Sequence, residues 1–62
     1  MDREDIQDIL ADEIDRCNRN IQELQKMVTE REGSEVHRLM GKIEGVNLIR
    51  DRLRGRLLET YA

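Results

Sequence analysis

The sequence has no proline, tryptophan or phenylalanine, and only one tyrosine, one histidine and one cysteine among its 62 residues. The single cysteine, Cys17, excludes a disulfide within the chain, and Cys17 with His37 falls short of the four ligands of a structural zinc site. A chain this short gains only about 3–5 kcal/mol from one core and usually needs a disulfide, a metal or association. We therefore expect one domain, residues 1–62, stabilised by further copies or by a partner, with no metal and no cofactor.

Long apolar runs are also missing from the chain. No apolar segment approaches the roughly 18 residues of a membrane span. The acidic segment at residues 1–5 lacks the apolar core of a signal peptide. An unpaired cysteine is typical of a reducing compartment. These features predict a cytoplasmic protein that does not enter a membrane.

Charge and helix-forming side chains are abundant, since 40% of the residues are charged and 37% are hydrophobic. In the first half, apolar residues recur at steps of four and three, the period of a coiled-coil seam. The members of this seam are Leu10, Ile14, Cys17, Ile21, Leu24 and Val28. Asp2 is a candidate N-cap, followed by acids that the helix dipole favours. The pattern predicts a first helix over about residues 3–31.

A glycine and a serine then interrupt the pattern. Gly33 can adopt the left-handed conformation that ends a helix, and Ser34 can cap the helix that follows. A second seam comes next, again at steps of three and four: Val36, Leu39, Ile43, Val46, Arg50, Leu53 and Leu57. We expect a turn at about residues 32–34 and a second helix over about residues 35–60.

Two such helices joined by a short turn should lie antiparallel, as an all-α, coiled-coil-like two-helix hairpin. The turn sets a register in which Leu24 meets Leu39 or Met40 and Arg50 lies opposite Ile14. Arg50 then either extends to a neighbouring carboxylate or sets the register as a polar position within the seam. The carboxylates within its reach would be Asp12, Glu13 and Asp15. The alternative fold is one continuous helix. The loss of the heptad phase between Val28 and Val36 argues against it.

The apolar residues outnumber the positions that one seam between two helices can cover. We expect the surplus to be buried in a dimeric four-helix bundle or a larger helical oligomer. Three glycines on one face of the second helix, with Leu48 and Arg52 between them, would admit another helix closely. The candidate oligomer or partner interface consists of Ile6, Ile9, Met27, Met40, Gly41, Gly45, Leu48 and Ile49.

Charge is sorted between the two halves. Residues 1–32 carry ten acids and five bases, a net charge of −5, whereas residues 33–62 carry six bases and four acids, a net charge of +2. The contrast could simply favour antiparallel pairing. Alternatively, the acidic half could dock on a basic protein or imitate the phosphates of DNA. Bases beside the glycine face could instead bind an anion such as a nucleotide. The candidate anion-binding residues are Arg38, Lys42, Arg52 and Arg56.

The residue types that catalysis needs are not brought together by the predicted fold. His37 would sit beside the turn and Cys17 in mid-seam, so no Cys–His pair forms. The sequence contains neither a phosphate-binding loop nor a dinucleotide-binding glycine motif. DNA binding is not expected either, because aromatic stacking groups and net positive charge are both lacking. We expect a protein that works by binding and is not an enzyme.

The second helix carries the segment VHRLMGKIEGVNLIRDRL at residues 36–53. It resembles a recurring type of small bacteriophage protein that pairs a charged first helix with a second helix containing Gly-Lys-Ile-Glu-Gly. The resemblance covers about a third of the chain and assigns no role to any residue. It implies a phage accessory product in the host cytoplasm: an inhibitor of host machinery, a sponge for an immune signalling nucleotide, or an assembly factor.

The leading hypothesis is a self-associating helical interaction protein of phage type that binds or inhibits a host protein. The first alternative is an oligomer that sequesters an anionic nucleotide. The second is a structural or assembly adaptor whose oligomer is itself the function.

Overall fold

Two helices account for almost all of the chain. The computed structural model describes residues 2–62. In it, helix α1 spans Arg3–Glu30 and helix α2 spans Ser34–Glu59. The helices pack along each other in a rod of 47 × 14 × 14 Å, and residues 2–62 contain no strand. The prediction of an all-α two-helix hairpin is therefore confirmed.

Local chemistry explains where α1 begins. The Asp2 carboxylate accepts a hydrogen bond of 3.0 Å from the backbone N–H of Asp5, which satisfies one of the donors that a helix start leaves open. Glu4 and Asp5 occupy the first turn, where the helix dipole favours negative charge. The predicted N-cap is thus confirmed.

The connection differs from the prediction in two respects. Gly33 has a positive φ of 70°, but its ψ of −139° is not that of a left-handed helical residue; Gly33 forms the N-cap of α2, and the C-cap of α1 is Arg31. Ser34 is already the first helical residue, so the prediction that Ser34 caps α2 is wrong. The physical reason is that the chain reverses at Gly33 itself, where the absence of a Cβ permits positive φ without strain.

The core is small and lies in the half of the hairpin nearest the connection. Ile21, Leu24 and Leu39 are buried, with exposed fractions of 6%, 9% and 7%. Every other position of the two predicted seams is half-buried. The hairpin therefore has a continuous apolar seam, but only a short stretch of it is closed to water.

Two side-chain hydrogen bonds cross the seam and report the register. Arg50 donates to the Asn18 side-chain oxygen at 3.2 Å, and Gln7 donates to the Thr60 hydroxyl at 3.0 Å. Arg50 thus contacts a residue one turn away from Ile14. Because helical side chains lean towards the N-terminus of their own helix, Arg50 leans towards the connection. For the same reason the Gln7 side chain leans towards the end of the hairpin away from the connection, which we call the open end.

The prediction that Arg50 reaches Asp12, Glu13 or Asp15 is wrong. Its guanidinium lies 3.5 Å from Asp51 on its own helix and otherwise contacts Asn18, while its buried Nε has no partner in residues 2–62. The Asn18–Arg50 pair forms a polar layer that separates the buried core from the open end.

Candidate interaction surface

Large hydrophobic side chains are exposed along the whole hairpin. Their exposed fractions run from 38% to 69%, and they are Ile6, Ile9, Met27, Met40, Leu48, Ile49, Leu58 and Tyr61. Single exposed apolar residues are ordinary on protein surfaces, but here eight are exposed against three that are buried. Exposed large hydrophobic side chains therefore outnumber the buried ones in residues 2–62.

Shallow grooves between the helices lie mainly on one side, which we call the groove face. Its turn end is lined by Met27, Arg31, Glu35, Arg38, Leu39 and Lys42. Its middle is lined by Asn20, Leu24, Lys42, Gly45, Val46 and Ile49, and the next groove along α2 by Ile49, Arg52, Leu53 and Arg56. Neighbouring grooves share Lys42 and then Ile49, so the groove face is continuous along α2.

Ile9 belongs to the groove face as well. It precedes Met27 by eighteen residues, which is five complete turns at about 3.6 residues per turn, so the two side chains leave α1 in the same direction. Ile9 and Ile49 are 48% and 53% exposed. The groove face thus carries an exposed isoleucine on each helix.

We call the other side of the hairpin the opposite face. A groove there is lined by Gln25, Val28, Met40, Ile43 and Glu44. The predicted interface residues Met27 and Met40 therefore lie on different faces. The eight predicted interface residues do not form a single surface.

The glycine face of α2 adjoins open space, and Gly45 also lines the middle of the groove face. A Cβ added at Gly41, Gly45 or Gly55 would meet no atom of the chain within 4 Å. Contacts within the protomer therefore do not require glycine at these positions. A requirement for glycine at these positions would have to come from contacts with a second molecule.

Four bases on the groove face lack carboxylate partners, whereas Arg31 on the same face lies 3.9 Å from Glu35. Within residues 2–62, no Asp or Glu oxygen lies within 4.0 Å of the cationic groups of Arg38, Lys42, Arg52 or Arg56. Away from this face, Arg50 and Arg54 share Asp51 at 3.5 and 4.0 Å. The available positive charge of α2 is thus concentrated on the groove face.

The four candidate anion-binding residues do not form one site. Arg38 and Lys42 line the groove at the turn end together with Arg31, which the sequence analysis missed. Arg52 and Arg56 line a separate groove. Lys42 and Arg52 are ten residues apart, about 15 Å along the helix axis. A small anion can therefore contact one pair or the other within a protomer.

The acids of α1 divide in a similar way. Glu13 pairs with Arg16 at 3.4 Å, and Asp15 pairs with Arg19 at 3.6 Å. The acids closer to the N-terminus have no Lys or Arg group within 4.0 Å in residues 2–62, and they are Glu4, Asp5, Asp8 and Asp12. The negative charge left available is therefore concentrated in the first three turns of α1.

The remaining chemistry-bearing side chains do not come together. Cys17 is half-buried in the seam, and His37 is exposed beside the connection. No cluster of three His, Cys, Asp or Glu residues that could hold a metal ion occurs in residues 2–62. Both helices carry charged side chains along their length, and no helix in the described part of the chain could span a bilayer.

Sequence reasoning missed the polar residues that cross-link the helices, Asn18, Gln7 and Thr60. Gln7 lies three residues before Leu10 and Thr60 three residues after Leu57, so both continue the seams by one step, and this spacing could have indicated them. Asn18 directly follows the seam residue Cys17. Comparisons with models of known protein families, with curated proteins and with solved structures find no match to this chain.

Proposed function

We propose that the chain is a self-associating, non-enzymatic helical interaction protein. The observation that supports this is the balance of burial: three hydrophobic side chains are buried, whereas eight large ones are exposed. Covering apolar surface stabilises a protein by roughly 25 cal/mol per Å². An assembly that covers the exposed residues therefore supplies stability that the small core lacks.

The area of the protomer supports the same proposal. A compact monomer of 7.4 kDa should expose about 4,200 Å², whereas this protomer exposes 5073 Å². The excess, about 900 Å², is close to the roughly 800 Å² that each partner buries in a standard protein–protein interface.

Sedimentation velocity and circular dichroism over a concentration series test self-association. We expect a mass above 7.4 kDa, and helicity and melting temperature that fall together on dilution. A cooperatively melting monomer at micromolar concentration, with no companion molecule bound, would overturn the proposal.

We also propose a biological setting, a phage-type accessory protein that acts in the host cytoplasm by binding or inhibiting a host protein. Its support is the resemblance of residues 36–53 to small phage proteins, together with the exposed apolar surface. Affinity capture from host lysate tests it, with an Ile49→Asp variant as the matched control. We expect a protein that the wild-type chain retains and the variant does not. Equal recovery by both would contradict a role for this surface.

A nucleotide sponge is the second candidate, because the groove face carries bases without carboxylate partners. Each pair of bases is one candidate site: Arg38 with Lys42, or Arg52 with Arg56. A thermal-shift panel of cyclic and linear nucleotides tests it, with one pair replaced by alanine at a time. Binding should disappear in one double variant and survive in the other, whereas no shift with any nucleotide would remove this candidate. A stable assembly that binds neither protein nor nucleotide would favour the adaptor.

A further inference from the structure

Two charged stripes, one on each helix, surround the two exposed isoleucines of the groove face. On α1, Asp5 and Asp12 lie one turn before and one turn after Ile9, and these three residues form the acidic stripe. On α2, Arg52 and Arg56 follow Ile49 at steps of three and four residues, and these three residues form the basic stripe. Each stripe is an exposed apolar side chain with charge of one sign beside it.

Neither stripe is neutralised within its own protomer. The four charged side chains are exposed, and none has a partner of opposite charge within 4.0 Å in residues 2–62. The other bases of the same part of α2, Arg50 and Arg54, already contact Asp51. The charge that remains available on the two stripes is therefore of opposite sign and lies beside an exposed isoleucine on each helix.

We infer that a second copy of the chain docks on the groove face, so that the acidic stripe of each protomer packs on the basic stripe of the other. This inference rests on the proposed self-association and names the surface that carries it. The two reciprocal contacts would close a dimer around a two-fold axis that runs along the hairpin.

The levels of the stripes along the hairpin suit this arrangement. A two-fold axis along the hairpin places α1 of one copy over α2 of the other with both connections at the same end. Counting five residues along each helix from the contact between Gln7 and Thr60 brings Asp12 on α1 level with Gly55 on α2, between Arg52 and Arg56. Ile9 then lies beside the Arg56 end of the groove lined by Ile49, Arg52, Leu53 and Arg56.

The other two-fold arrangement is disfavoured by charge. An axis perpendicular to the helices would place α1 over α1 and α2 over α2, in opposite directions. Arg56 would then approach Arg38 of the copy, and Arg52 would approach its Lys42. Like charges facing each other across an interface oppose binding, so the reciprocal arrangement is the one that charge selects.

A charge-swap experiment tests the docking surface. One variant carries Asp5→Lys and Asp12→Lys, and the other carries Arg52→Glu and Arg56→Glu. Alone, each variant places like charges on both stripes, so its self-association should weaken by at least about tenfold. Mixed, the two variants restore opposite charges at both contacts. Native mass spectrometry at low salt should show a mixed dimer and few dimers of either variant.

A matched pair of single variants serves as the control. Arg56→Glu reverses a base of the basic stripe, and Arg54→Glu reverses a neighbouring base that points away from the groove face. Only Arg56→Glu should weaken self-association. Circular dichroism of every variant at the same concentration separates loss of contact from loss of helix.

The outcomes separate this inference from the proposed function. If the wild type associates but the double variants associate equally well, or if mixing them restores nothing, the docking surface is wrong and self-association stands. Equal weakening by Arg54→Glu and Arg56→Glu would also overturn it, because net charge alone would explain the loss. A monomeric wild type would overturn the proposed function and this inference together.

Discussion

The half of the hairpin near the connection and the half at its open end share one seam but differ in how well they close it. Ile21, Leu24 and Leu39 are all in the connected half. In the open half the seam residues are half-buried, and Ile6 and Ile9 are exposed beside them. The same period of apolar residues thus gives buried side chains in the connected half and none in the described part of the open half, although exposed apolar side chains occur in both.

The Asn18–Arg50 layer marks the boundary between the halves. On the open side of this layer, Gln7 donates a hydrogen bond to Thr60. Such a bond contributes about 1 kcal/mol to the free energy of unfolding. We conclude that the buried core of the protomer lies in the connected half. Under the proposed self-association, the open half is where association would add stability.

The largest effect is expected from a charge placed in the core of the connected half. Ile21→Asp replaces a side chain that is 6% exposed and leaves a carboxylate in apolar surroundings without a partner. The loss should exceed about 4 kcal/mol, which is as much as a chain of this size has available. Circular dichroism should show an unfolded chain.

Gln22→Asp is the matched control, because it places the same carboxylate on the exposed side of α1, one residue further on. It should remain helical with a similar melting temperature. A folded Ile21→Asp variant would mean that the connected half is not the core of the protein.

The next test compares leucines of the two halves. Leu39→Ala removes a buried side chain and should cost about 2–4 kcal/mol, whereas Leu57→Ala removes a half-buried one and should cost about 1 kcal/mol. Urea unfolding at low concentration measures both. If association covers the open half, the cost of Leu57→Ala should grow as protein concentration rises. Equal costs at every concentration would contradict the distinction between the halves.

The sequence predicted the helical hairpin well because its information is local and repetitive. Steps of three and four place Leu24 and Leu39 on facing stripes, and Asp2 begins a helix by a hydrogen bond that lies within four residues. Gly33 was also predictable as the point where the chain reverses, because the heptad phase is lost there and glycine adopts positive φ without strain.

The candidate surface was less predictable because it depends on angles between the helices and on side-chain lean. Spacing alone could not show that Met27 and Met40 lie on different faces, or that Lys42 and Arg52 line separate grooves. Nor could it show that Arg50 contacts Asn18, because the partner depends on how far a long side chain extends along the hairpin.

A smaller effect is expected at the glycine face of α2, where Gly45 also lines the groove face. Gly45→Ala should stabilise the helix by about 0.5–1 kcal/mol, because the added Cβ would meet no atom within 4 Å. Gly45→Leu should keep this helicity, but it should reduce the assembled mass if another helix packs closely against the glycine face. Light scattering distinguishes the two effects. An unchanged mass for Gly45→Leu would remove the glycine face from the interface.

The smallest effect is expected at the boundary between the halves. Arg50→Met keeps a long side chain in the seam and removes a guanidinium whose buried Nε has no partner in the described chain. Buried polar groups that are only partly satisfied contribute little net stability, so the free energy of unfolding should change by less than about 1 kcal/mol in either direction. Arg54→Met, at an exposed position, is the control. A loss above about 2 kcal/mol would show that Arg50 supports both halves and does not merely separate them.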